Sequence, residues 1–118
     1  MGQHITLTAK DGHTFGAYRA DPAGAPKGAI VVIQEIFGVN SHIRNVTDRF
    51  AQDGYVAIAP ALFDRQEKNF QSGYTPDEIA NARKFIAKPD WDAMLRDTQA
   101  AIDAVKAAGP VAVIGYCM

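Results

Sequence analysis

The sequence has 118 residues, of which 47% are hydrophobic, 21% charged and 9% aromatic, the composition of one modest globular domain. Lys and Arg number 12 against 13 Asp and Glu, a net charge of −1, which excludes both the basic field of a nucleic-acid binder and an acidic disordered tail. One cysteine excludes an internal disulfide and fits a reducing cytoplasm, and no apolar run approaches the roughly 20 residues that cross a bilayer.

The first residues, Met1-Gly2-Gln3-His4, lack the basic and apolar regions of a secretory signal. Ile5, Leu7 and Ala9 then alternate with Thr6 and Thr8, the period of a strand with one buried face. Asp11-Gly12 predicts a tight hairpin turn, and the residues from Thr14 to Arg19 read as the return strand. Asp21 to Pro26, with two prolines and a glycine, is a loop. Ala29-Ile30-Val31-Val32-Ile33 is a continuous β-branched run, the mark of a strand buried on both faces of a mostly parallel sheet. After the polar break Gln34-Glu35-Ile36-Phe37-Gly38, a helix should start at Asn40 or Ser41, bury Ile43, Val46, Phe50 and Ala51, and end at Gly54.

Tyr55 to Ala59 is the next buried strand, stopped by Pro60. Asp64 to Tyr74 reads as a polar surface excursion. Thr75-Pro76-Asp77-Glu78 opens a helix, with a capping threonine, a proline in the first turn and acids at the positive dipole end. It should run to about Phe85 or Ile86, break at Lys88-Pro89 and resume at Asp90 or Trp91. The second piece carries the stripe Met94, Leu95, Thr98, Ala101, Ile102 and Val105, with Trp91 and Phe85 expected in packing. Gly109-Pro110 closes it, and Val111 to Ile114 is a third buried strand leading to Gly115-Tyr116-Cys117-Met118.

A hairpin followed by strand-helix-strand-helix-strand predicts an α/β architecture, mostly parallel, with crossover helices. The last strand would leave an open edge with apolar side chains on both faces. The chain therefore reads as the front part of a longer fold, incomplete over residues 1–118 and with no linker or second domain. The open edge predicts self-association.

Gly115-Tyr116-Cys117 directly follows a buried strand, as does the first half of a nucleophile elbow, G-x-S-x-G, with cysteine in place of serine. Such an elbow aims its nucleophile at the amino end of a following helix, whose dipole favours the thiolate, and takes glycines where side chains would strike neighbouring strands. Glu35 lies at the carboxyl end of the apolar strand, where open α/β sheets place their ligands. Burial among Ile33, Ile36 and Phe37 would suit it to accept a proton near a thiol.

The blocks from Val32 to Asn40, Ile43-Arg44, Gly54-Tyr55, Pro60 to Phe63 and Gly115-Tyr116-Cys117 together resemble the dienelactone hydrolase family. Asp11 to Ala17 resembles that family's amino-terminal hairpin, so the likeness spans nearly the whole chain. It implies an α/β-hydrolase fold and hydrolysis of a small ester or lactone, dienelactone being the namesake, with no metal or organic cofactor. It implies a Cys-Asp-His triad with Cys117 as nucleophile, Glu35 as the glutamate beside the resting thiol, and the backbone amides of Ile36 and Met118 as oxyanion donors. The family's aspartate and histidine lie beyond the elbow, so the polypeptide alone is expected to be inactive. Arg83 falls where an arginine could hold a substrate carboxylate; Arg44 and Arg65 are undecided. His13 and His42 are most simply surface residues.

Two readings of another kind stand beside this one. A flavodoxin-like or Rossmann-like binding module would need a glycine-rich phosphate loop, yet Gln34 to Ser41 offers one glycine and an acid that repels phosphate. A non-catalytic fragment completed by a partner chain would use the open sheet edge.

Overall fold

The computed structural model describes residues 2–116 and begins with a hairpin of β1 (Gln3–Thr8) and β2 (Thr14–Ala20), paired antiparallel from Gln3↔Arg19 to Thr8↔Thr14. At its turn the Gly12 N–H donates to the Ala9 carbonyl and the Ala9 N–H to the His13 carbonyl, both at 2.9 Å. Gly12 takes φ +87° there, the left-handed residue of a three-residue hairpin loop.

The remaining elements are β3 (Ala29–Ile33), α1 (Ser41–Gln52), β4 (Val56–Pro60), α2 (Pro76–Ala87), α3 (Trp91–Val105) with a short 3-10 turn (Lys106–Ala108), and β5 (Val111–Gly115). The strands form one mixed sheet in the order β1-β2-β4-β3-β5. β2 and β4 pair antiparallel, whereas β3 is parallel to both neighbours. The α/β expectation holds, including the boundaries of β3 and the start of every helix.

Alternation along β3 explains its unbroken apolar sequence. Ala29 and Val31 pack with Val56, Ile58, Ala101 and Val105 on the face covered by α3. Ile30 and Val32 pack with Ile43, Val46 and Ala59 on the face covered by α1. Both faces are dry, so neither can carry polar side chains.

Local signals set the helix ends. Asn40 caps α1 by accepting from the Ile43 N–H at 3.2 Å, and Gly54 leaves it at φ +105°. Thr75 caps α2 by accepting from the Glu78 N–H, and Glu78 in return accepts from the Gly73 N–H at 2.8 Å. Asp90 caps α3 by accepting from the Ala93 N–H at 3.0 Å.

Four expectations about burial are corrected. Leu95 is 67% exposed and Trp91 55% exposed, because the inward stripe of α3 is Met94, Asp97, Ala101 and Val105, and Leu95 and Trp91 point off it. Asp97, an acid, is buried in that stripe. The 64–74 segment is no simple surface excursion: Asp64 and Phe70 are buried. Phe70 and Phe63 close on Phe85 of α2 with ring centroids 4.3 and 4.9 Å away. Finally, β5 is largely exposed, with Ala112 and Val113 open to solvent, because no strand among the described residues pairs with its outer edge. Among the described residues no helix is long and apolar enough to cross a membrane.

Candidate active site

The sheet order reverses around β3: α1 leads to β4 on one side, and α2 and α3 lead to β5 on the other. The crevice at the carboxyl end of such a strand is where open α/β sheets bind ligands. There Gln34 is 1% exposed. Its Oε1 accepts from the Leu62 N–H at 2.8 Å and its Nε2 donates to the Glu35 carbonyl at 3.0 Å. The same carbonyl accepts from the Gly38 N–H at 3.1 Å, so Glu35 to Gly38 form a β-turn.

Gly38 has φ +79°, and a Cβ on it would sit 2.2 Å from the Phe70 carbonyl oxygen; no side chain fits. The 70–74 segment holds the turn from outside. The Ser72 N–H donates to the Phe37 carbonyl at 2.9 Å. The Phe37 ring meets Tyr74 edge-on at 4.6 Å, and the Tyr74 hydroxyl accepts from Asn40 Nδ2 at 3.1 Å.

Two polar groups of this turn are left open. Glu35 is half-buried, and its Oε1 is shut off from solvent with no hydrogen-bond partner among the described residues. The Ile36 N–H likewise meets no acceptor among them. A buried carboxylate oxygen without a donor is costly, and its place at a strand tip suits a group that receives a proton.

Cys117 and Met118 lie outside the described residues. Their approach does not: β5 runs parallel to β3 with Ile33 paired to Gly115. In the sequence, Glu35 and Cys117 each follow that pair by two residues. The expected steric need for glycine at position 115 does not arise among the described residues, since a Cβ there would meet only Ile33 Cβ at 3.7 Å, an ordinary contact.

The arginines separate cleanly. Arg44 donates to the Val39 carbonyl at 2.8 Å and to Gln71 at 3.1 Å. Arg65 is forked between Asp97 and Asp11, with contacts of 2.8 to 3.0 Å to each. Its guanidinium holds the Asp11 carboxyl well below the usual carboxylate range, and the two acids, Asp97 foremost, raise Arg65 in turn. Both arginines are structural. Arg83 is exposed on α2 with no ion-pair partner among the described residues.

His42 is exposed, as expected. His13 is only half-exposed, stacked on Phe15 at 5.9 Å with its Nε2 buried, so it is not a plain surface residue. His4 sits edge-on to Tyr18, and none of the three bonds to Glu35.

A cavity of about 320 Å³ opens elsewhere, between the hairpin turn and α3, lined in part by Lys10, Leu95, Arg96 and Asp103. It is apart from Glu35, and its Arg96 already faces Asp11 at 3.5 Å. Among the described residues no cluster of three or more His, Cys, Asp or Glu is placed to hold a metal ion. Sequence reading passed over Gln34 and Gly38 as site residues. Their signal was adjacency to Glu35, in one case a polar residue continuing an apolar strand, in the other the lone glycine of the loop.

The sequence model of the dienelactone hydrolase family matches residues 15–118. The chain belongs to that family. A carboxymethylenebutenolidase of Pseudomonas putida is 36% identical to it over 125 residues, an alignment covering all of this chain and 52% of the relative. A candidate carboxymethylenebutenolidase of Synechocystis sp. is 47% identical over 89 residues, 75% of this chain and 36% of the relative. The crystal structure of a candidate dienelactone hydrolase from Klebsiella pneumoniae matches with a TM-score of 0.73 at 30% identity, over 98% of this chain and 50% of that one. α/β hydrolases of lower identity share the fold. The chain thus spans about half, or less, of the length of these relatives. Membership in the dienelactone hydrolase family removes the Rossmann-like alternative, in keeping with a first strand-to-helix loop that presents Glu35 rather than a phosphate cradle.

Proposed function

We propose that this chain carries the nucleophile half of a hydrolase that cleaves a small ester or lactone through a cysteine thioester. Glu35 takes the proton of the Cys117 thiol. The thiolate adds to the substrate carbonyl carbon, the C–S bond forms, and the π electrons move to oxygen. That oxyanion is received by the N–H groups of Ile36 and Met118. Collapse breaks the C–O bond, the alkoxide leaves with the proton that Glu35 took from the thiol, and an acyl thioester remains. Water, its proton taken by the triad histidine, then adds to the thioester carbon, the C–S bond breaks, and that proton passes to the sulfur as the carboxylic acid and free thiol are released. Arg83, exposed and without an ion-pair partner among the described residues, is the candidate for a substrate carboxylate. The triad aspartate and histidine fall outside this sequence, so the 118-residue polypeptide alone is inactive in this reading.

The observation that carries the proposal is the solvent-shielded Oε1 of Glu35, without a hydrogen-bond partner among the described residues, two residues past the Ile33–Gly115 pair that Cys117 likewise follows by two in the sequence. Hydrolysis of p-nitrophenyl acetate by the full-length protein tests it. Cys117→Ala should abolish turnover, and the 118-residue chain at equal concentration should show none. Turnover by either overturns the corresponding claim. We propose further that this polypeptide, when isolated, pairs with itself along the outer edge of β5.

A further inference from the structure

We propose that Gln34 is a positioning residue: its side-chain amide aims the Ile36 N–H at the developing oxyanion. The inference rests on the assignment of the Ile36 amide as an oxyanion donor. A peptide unit is planar and, here, trans, because the described residues contain no cis bond. Its C=O and N–H therefore point in opposite directions, and fixing one fixes the other. The unit that joins Glu35 to Ile36 is fixed through its carbonyl, which accepts from Gln34 Nε2 at 3.0 Å and from the Gly38 N–H at 3.1 Å. The N–H on its other side is left without an acceptor among the described residues.

The orientation of the Gln34 amide is itself determined. Leu62 offers an N–H, so the atom facing it at 2.8 Å must be the oxygen; the Glu35 carbonyl can only accept, so the atom facing it must be the nitrogen. At 1% exposure the side chain has no water to take over either bond. Gln34 thereby ties the donor peptide to the exit of β4, a rigid strand of the core. A donor held in place before the reaction needs no reorganisation when charge develops, which is what makes such a hydrogen bond effective in catalysis.

The test uses the full-length protein with two variants. Gln34→Glu keeps an acceptor for the Leu62 N–H but sets an oxygen against the Glu35 carbonyl; Gln34→Met removes both bonds at similar volume. For p-nitrophenyl acetate, each should lower kcat by at least about tenfold, short of the roughly 10²–10³ lost with a whole oxyanion donor. KM should stay within about twofold, as for an interaction made only in the transition state. Alkylation of Cys117 by iodoacetamide, a displacement at a saturated carbon that forms no oxyanion, should keep its wild-type rate.

An unchanged kcat in either folded variant overturns the inference, and so does an alkylation rate that falls in step with kcat. If Gln34→Met does not fold, Gln34→Glu decides alone, since it preserves the link to Leu62. The underlying reading fails separately: a Cys117→Ala protein that still turns over overturns both, whereas a dead Cys117→Ala beside fully active Gln34 variants overturns this inference only.

Discussion

Arg65 answers two carboxylates from distant parts of the chain, Asp11 in the hairpin turn and Asp97 on α3. Asp97 is the buried partner, at 1% exposure, and its charge is acceptable there only because the guanidinium meets both its oxygens. Asp97→Ala should cost about 2–3 kcal/mol in urea unfolding, below the 3–5 typical of a broken buried pair because Asp11 stays with Arg65. Asp11 gives a pH signature. Its folded carboxyl lies below its ordinary 3.8, first through the hydrogen bond from Arg65. A depressed folded value means the unfolded chain binds the proton more readily. The stabilisation is therefore complete above the unfolded value and is lost as pH falls below about 4 toward the folded one. Urea midpoints between pH 6 and 3 should fall less steeply in Asp11→Asn than in the wild type; equal slopes would contradict this. Neither Asp97 nor Gln34 was legible as an interior residue. A hydrophobic pattern rejects a lone acid on an inward helix stripe, and the partner that licenses Asp97 stands 32 positions away. The place of Glu35 at a strand end, by contrast, is marked by the apolar run Ala29–Ile33 just before it.

At the level of elements, the ends were read well because their causes are local. Asn40, Thr75-Pro76 and Asp90 cap whatever follows them, and Gly54 and Gly109, at φ +105° and +128°, stop what precedes them. Burial was read less well where it depends on what lies across a gap. The 64–74 segment carries charge and glycine, yet Phe63 and Phe70 seat it under α2 against Phe85, with Ile36 and Phe37 packed on the same cluster. The Glu35–Gly38 turn and α2 therefore share one support. Gly38 is the point where that support touches the turn most closely. Gly38→Ala should lose well over about 1 kcal/mol of stability, since it joins a left-handed backbone to a clash with the Phe70 carbonyl. Esterase activity of the folded fraction should fall with it. A Gly38→Ala protein with wild-type thermal midpoint and kcat would show that the turn is not held there.

Over the whole molecule, α1 and α3 cover opposite faces of the sheet, while its two edges differ. The β1 edge carries alternating polar residues, with Thr6 and Thr8 exposed, whereas β5 shows solvent Ala112 and a Val113 that is 49% exposed. Lysine on such an edge blocks pairing by bringing a charge that cannot be buried. The isolated 118-residue chain should sediment above its monomer mass, and Val113→Lys should shift it toward monomer with little change in helix content by circular dichroism. An unsubstituted 118-residue chain that sediments as a monomer would remove the β5 edge as a pairing surface.

β3 and β5 advance together from Ala29↔Val111 to Ile33↔Gly115 without a bulge, and this lockstep makes the relative reach of the two strands a matter of counting. Dropping one residue from either strand would turn every later side chain to the opposite side and draw it back by about 3.3 Å. Residues added within the crossovers through α1 or through α2 and α3 leave that count untouched. Length can thus change between these strands, but not along them.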